Sequence, residues 1–167
     1  RVLFACASMP LAEMVKQHIG NSVDVYGMRS LFALISENVD NYQAPLYRGI
    51  SDSLVAELPK YDAIFIDEAQ DFTVEWAEII RKLLSDENSS RLGVFYDDVQ
   101  VLREDSFGAG FGIVEPPYLL HENIRNTANI YNWVSEKTKL GTDMIANPVE
   151  GPSPVTEIIT EQGQLVL

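Results

Sequence analysis

Positive charge is scarce in this chain. Lys and Arg together number 12 against 25 Asp and Glu, for a net charge of −13 over 167 residues. Non-specific affinity for nucleic acid comes from Lys and Arg displacing counterions, so a general phosphate-binding surface is excluded, though not a narrow channel that turns basic when other domains join. Cysteine is almost missing as well. The single Cys6 excludes an intramolecular disulfide framework and fits a reducing compartment, so a cytoplasmic location is expected. With only Cys6, His18 and His121 to offer nitrogen or sulfur, a zinc site is not expected. No apolar run approaches the roughly 18 residues of a membrane span, and no secretory leader is visible, so no membrane partner is expected. A phosphate loop of the form G-x-x-x-x-G-K-[ST] is also missing: Gly108-Ala109-Gly110-Phe111-Gly112 is glycine-rich, but no Lys follows it. The chain opens on Arg1 and enters a strand-like run at once, which reads as an excerpt of a longer protein.

Hydrophobic residues make up 46% of the chain, enough for a sizeable core, and they alternate between two patterns. Short apolar runs at 2–7, 23–26, 62–66 and 91–96 predict strands. Between them lie segments with helical spacing. Leu11, Met14, Val15 and His18 share one helix face after a Ser8 cap. Leu31, Leu34 and Ile35 mark a helix over 30–39, and Leu54, Val55 and Leu58 a short one after Ser51. Thr73 caps a helix whose inner face is Ala77, Ile80 and Leu84, with Trp76 read as a packing residue. Asn126 caps a helix to about 139, with Ile130, Trp133 and Val134 on one face and Gly141 as its stop. Ile113-Val114 and Tyr118-Leu119-Leu120, either side of Pro116-Pro117, are further strand candidates, and 155–160 with 164–167 suggests a hairpin. This alternation predicts an α/β domain with a mostly parallel sheet.

Three segments carry the chemistry. Ile64-Phe65-Ile66 stops on Asp67-Glu68-Ala69-Gln70-Asp71, which places carboxylates at the carboxyl end of a strand, where open α/β sheets bind ligands. Leu92 to Tyr96 runs into Asp97-Asp98-Val99-Gln100, and Leu119-Leu120 leads to Asn123-Ile124-Arg125-Asn126-Thr127. An Asp at such an edge suits Mg²⁺, a neighbouring Glu can activate water, and a guanidinium matches phosphate oxygens.

In this order the segments resemble motifs of superfamily 1 DNA/RNA helicases of the UvrD/Rep type. Asp67-Glu68-Ala69-Gln70-Asp71 resembles the Walker B motif II, Tyr96 to Gln100 motif III, Asn123 to Thr127 motif IV, and Val2 to Met14 motif Ia. Motifs II and IV carry most of the likeness. In motif III, Tyr96-Asp97 stands where the family has Gly-Asp. In motif Ia, Ala5, Ala7, Ser8 and Met9 stand where it offers Thr, Asn and Lys.

The resemblance implies a RecA-like P-loop NTPase fold, a three-layer α/β/α sandwich with the phosphate-loop strand missing. It implies a partial motor domain over 1–140, and over 141–167 a linker leading into a second such domain. It also implies ATP and Mg²⁺ as cofactors, with single-stranded or duplex nucleic acid and other helicase domains as partners. Asp67 is then the metal residue, Glu68 the base, Gln100 the γ-phosphate sensor, and Arg125 a phosphate contact with catalytic weight. Gln70 belongs to the nucleotide side, and Ser8 and Phe107 to the nucleic-acid side. Without a phosphate loop the chain alone is expected to be inactive. Two competitors remain: a phosphohydrolase or nuclease with a Mg²⁺ cluster on Asp67, Glu68, Asp71, Asp97 and Asp98, and a non-enzymatic acidic interaction module.

Overall fold

The computed structural model describes residues 1–35, 52–97, 110–114, 116–139, 144–155, 158–159 and 165–166. They fall into two compact units, Arg1–Val114 and Glu115–Leu167.

The first unit is built on four strands: β1 (Val2–Cys6), β2 (Asp24–Gly27), β3 (Ala63–Asp67) and β4 (Arg91–Val94), in the order β2-β1-β3-β4 and all parallel. Among the described residues, α1 (Met9–Ile19), α2 (Met28–Ile35), α3 (Asp52–Glu57) and α4 (Val74–Arg81) connect or flank them. A parallel pair needs a long crossover, and the helical segments between the strands supply it.

The register shows why the apolar runs are continuous. Leu3, Ile64 and Leu92 stand in one row and Ala5, Ile66 and Val94 in the next row on that face. All six join the main core, with Leu31 and Phe32 of α2, Val55 of α3, and Trp76, Ala77, Ile79 and Ile80 of α4. Trp76 is 1% exposed and meets Phe32 edge-on, with ring centroids 5.9 Å apart, so it packs as expected. Each such fully buried large side chain contributes about 1.5–3 kcal/mol. The opposite face gathers Cys6, Val25 and Ala12, with Phe4, Leu11 and Val15 beside them, so helices lie on both sides of the sheet. Phe65 shares a row with Phe4 and Gly93 on that second face and keeps 37% of its surface exposed. A Cβ at Gly93 would lie 2.7 Å from its ring, so the glycine lets the ring lie flat on β4.

Helix ends follow their caps. Ser8 Oγ accepts from Leu11 N at 3.3 Å and Thr73 Oγ1 from Trp76 N at 3.4 Å. Two details differ from the spacing-based expectation. On α1 the buried position is Ala12, while Met14 is 51% exposed and His18 is exposed, with its Nδ1 2.7 Å from Met14 O. The helix lies over an edge strand and one central strand, so only a narrow stripe is covered. On α2, Phe32 joins Leu31 in the core, which the 30–39 pattern did not mark. The expected cap Ser51 and the rest of the 30–39 helix beyond 35 lie outside the described residues.

In the second unit α5 (Ala128–Thr138) is anchored by polar contacts instead of apolar burial, and none of its residues is buried. Ala128 N donates to Val149 O at 2.9 Å, Tyr131 donates its hydroxyl to Met144 O at 2.8 Å, and Asn129 Nδ2 donates to Gly151 O. Thr127, not Asn126, is the cap residue; Asn126 N donates instead to Asn123 Oδ1 at 3.1 Å. Lys139, in the left-handed region at φ 60°, ends the helix, and Gly141 lies outside the described residues. The strand expectation for Ile113-Val114 and Tyr118-Leu119-Leu120 is corrected: both stretches are irregular and exposed. Pro116 and Pro117 have no N–H to give a ladder. The expected hairpin forms as the antiparallel pair β5 (Ile158–Ile159) and β6 (Leu165–Val166). No helix among the described residues is long and apolar enough to cross a membrane.

Candidate functional site

The carboxyl rim of the sheet assembles the acidic segment as its spacing implied. Cys6, the last residue of β1, pairs in register with Asp67, the last residue of β3. Ser8 follows β1 on that rim, its hydroxyl engaged in capping α1. Cys6 is fully buried, and its thiol lies 3.2 Å from Ser8 O. Burial, and then the Asp67 carboxylate, push that thiol up to about 11.

After Asp67 the backbone turns sharply. Glu68 adopts φ 53° and ψ 46°, a left-handed conformation that non-glycine residues rarely take. Its N–H donates to Asp67 Oδ1 at 3.0 Å, and residues Ala69–Asp71 complete a 3₁₀ turn, with Asp71 N donating to Glu68 O at 3.0 Å. Both carboxylates stay half-buried. The turn is stitched to the exit of β4: Phe95 N donates to Ile66 O at 2.8 Å and Ala69 N to Phe95 O at 3.0 Å.

Gln70 is the buried polar residue at the centre of this rim, 5% exposed. Its Nε2 donates to Glu68 Oε2 at 2.5 Å, and its Oε1 accepts from Asp97 N at 3.2 Å. The sequence placed Gln70 on the nucleotide side. The structure gives its amide two protein partners, one in each acidic segment. Nothing in residue spacing could have revealed which partners it takes.

Asp67 suits a hard cation. One oxygen takes the Glu68 N–H, which leaves the other free, and Mg²⁺ is commonly held by one or two carboxylates together with waters and substrate phosphates. Among the described residues no group of three or more His, Cys, Asp or Glu side chains gathers closely enough to hold a metal alone. The five-carboxylate cluster therefore gains no support there, and its fifth member, Asp98, lies outside the described residues. Gln100 and Phe107 lie outside them too. Arg125 belongs to the second unit, exposed in the turn before α5. It follows an isolated bridge between Glu122 and Ile145, not the strand end expected at Leu119-Leu120.

A groove of about 300 Å³ opens near the start of β3, away from this rim, lined by Val55, Lys60, Arg81, Lys82 and Glu87 among others. Lys60 Nζ donates there to Val55 O at 3.3 Å and Lys82 O at 2.6 Å, where α3 and α4 end. A cation at helix carbonyl ends is a structural tie. No protein-family model matches this chain, and no curated protein matches it.

Proposed function

We propose that the first unit is part of a RecA-like motor domain of the superfamily 1 helicase type, and that the full-length protein couples ATP hydrolysis to movement on, or unwinding of, DNA or RNA. The observation that carries this reading is the rim itself. A parallel sheet delivers Asp67 and Glu68 at the end of β3, and a buried amide ties Glu68 to the exit of β4. Phosphoryl transfer asks mainly for positioning and charge stabilisation, and a fixed pair of adjacent carboxylates supplies both a metal position and a base.

In this reading Asp67 would hold Mg²⁺, which would supply charge neutralisation at the phosphates. Glu68 orients and deprotonates the attacking water. Arg125 contacts a phosphate, and Gln100 senses the γ-phosphate of the nucleotide. Ser8 and Phe107 lie toward the nucleic acid. The domain assignment of 1–140 and 141–167, the RecA-like layering and a cytoplasmic location belong to the same proposal. The phosphate loop has to come from outside the 167 residues, because none of them forms it.

The test is Glu68→Gln in the full-length protein. ATP turnover should fall by about 10²–10⁴-fold, the usual weight of a general base, while nucleotide binding persists. Undiminished turnover refutes the assignment. A full-length protein that binds no nucleotide but holds a basic partner tightly favours the interaction-module reading.

A further inference from the structure

We propose that Gln70 is a positioning residue that sets the orientation of the Glu68 carboxylate according to where the loop leaving β4 lies; this rests on the motor reading above.

The two partners of Gln70 make opposite demands. A carboxylate can only accept and a backbone N–H can only donate, so one side chain serving both must donate at one end and accept at the other. An amide does this, and the partners fix which end is which. Carboxylate, ammonium and aliphatic side chains cannot. At 5% exposure Gln70 has little water to replace a lost partner, so breaking either bond strands a buried polar group.

The placement gives the bonds a mechanical meaning. Backbone pairing between β3 and β4 extends past the strands through Phe95, and the Gln70 side chain holds the Asp97 N–H beyond it. Glu68 sits in a left-handed turn, where a carboxylate without a partner would be free to swing. The amide therefore transmits the position of residue 97 to the base. A displacement of residue 97 therefore alters the aim of Glu68 without any change at Asp67.

Three variants of the full-length protein test this with MgATP: Gln70→Met, which keeps neither bond; Gln70→Glu, which keeps an oxygen for Asp97 N–H but sets a second carboxyl group against that of Glu68; and Glu68→Gln as reference. Both Gln70 variants should lose kcat by about ten- to a hundredfold, with KM for ATP within about twofold, the pattern of a misplaced catalytic group. Amide exchange at Asp97 should speed up in Gln70→Met and stay slow in Gln70→Glu. A residue that merely supports the fold would lower stability and leave kcat intact below the unfolding range. If Gln70→Met does not fold, Gln70→Glu carries the kinetic test. An inactive Glu68→Gln beside full-rate Gln70 variants overturns the positioning role alone. A fully active Glu68→Gln overturns the motor reading and this proposal with it.

Discussion

Replacing Glu68 by glycine should leave the protein more stable than replacing it by alanine, an inversion of the usual order. Both changes remove the carboxylate, and both leave Gln70 Nε2 without the acceptor it has at 2.5 Å. Those costs cancel in the comparison, and what remains is the backbone. At φ 53° and ψ 46° an L-residue carries about 1–2 kcal/mol of left-handed strain that glycine does not. Glycine loses more chain entropy on folding, about 0.5–1 kcal/mol relative to alanine. The difference leaves Glu68→Gly ahead of Glu68→Ala by about 0.5–1 kcal/mol. With urea slopes of about 1–3 kcal/mol per molar, the midpoints should differ by a few tenths of a molar, on the order of 0.5 M. Urea titration of the two variants, followed by tryptophan fluorescence, measures this directly because Trp76 lies in the core beside the turn. Equal midpoints, or a more stable alanine variant, would refute the left-handed turn and the placement of the carboxylate argued from it.

Two further outcomes follow from packing and burial. Trp76→Ala should cost about 3–5 kcal/mol, as expected for an aromatic truncated in a closed core, and calorimetry should show a markedly lower Tm. Cys6 has its thiol raised to about 11 from an ordinary 9.0, so the folded state holds that proton through the interval in which the unfolded chain releases it. Stability from this source is complete below pH 9 and declines as pH climbs towards 11. Alkylation of Cys6 at pH 8 should accordingly track unfolding, rising steeply with urea; rapid labelling of the native chain would contradict its burial.

Much of the first unit was legible before any coordinates. Ile64 and Ile66 sit in an apolar run whose one face packs on the main core, and the caps at Ser8 and Thr73 announced α1 and α4. The order of strands and acidic segments put Asp67 and Glu68 at a strand end, where they are. Other features depend on three-dimensional context that spacing does not encode. The stripe of α1 narrows to Leu11, Ala12 and Val15 because of where that helix lies, and Met14 lost its expected burial with it. Tyr118 to Leu120 looked like a strand by composition, yet their backbone finds no ladder after two prolines. The two bonds of Gln70 are set by its rotamer and by the reversal at Glu68, and neither leaves a trace in residue order.

The order of the sheet has a consequence for how the chain is made. β1 pairs with β2 soon after it in sequence, but its other neighbour is β3, and Val2 has to wait for Ala63. During synthesis the β1–α1–β2 unit emerges with one edge of β1 open and most of the main core still to come. Parallel pairings between distant segments pay loop closure before they gain contacts, which slows assembly and leaves apolar surface exposed meanwhile. Leu3 and Ala5 are therefore surfaces that a chaperone, or a neighbouring nascent chain, meets before Ile64 and Ile66 arrive to cover them.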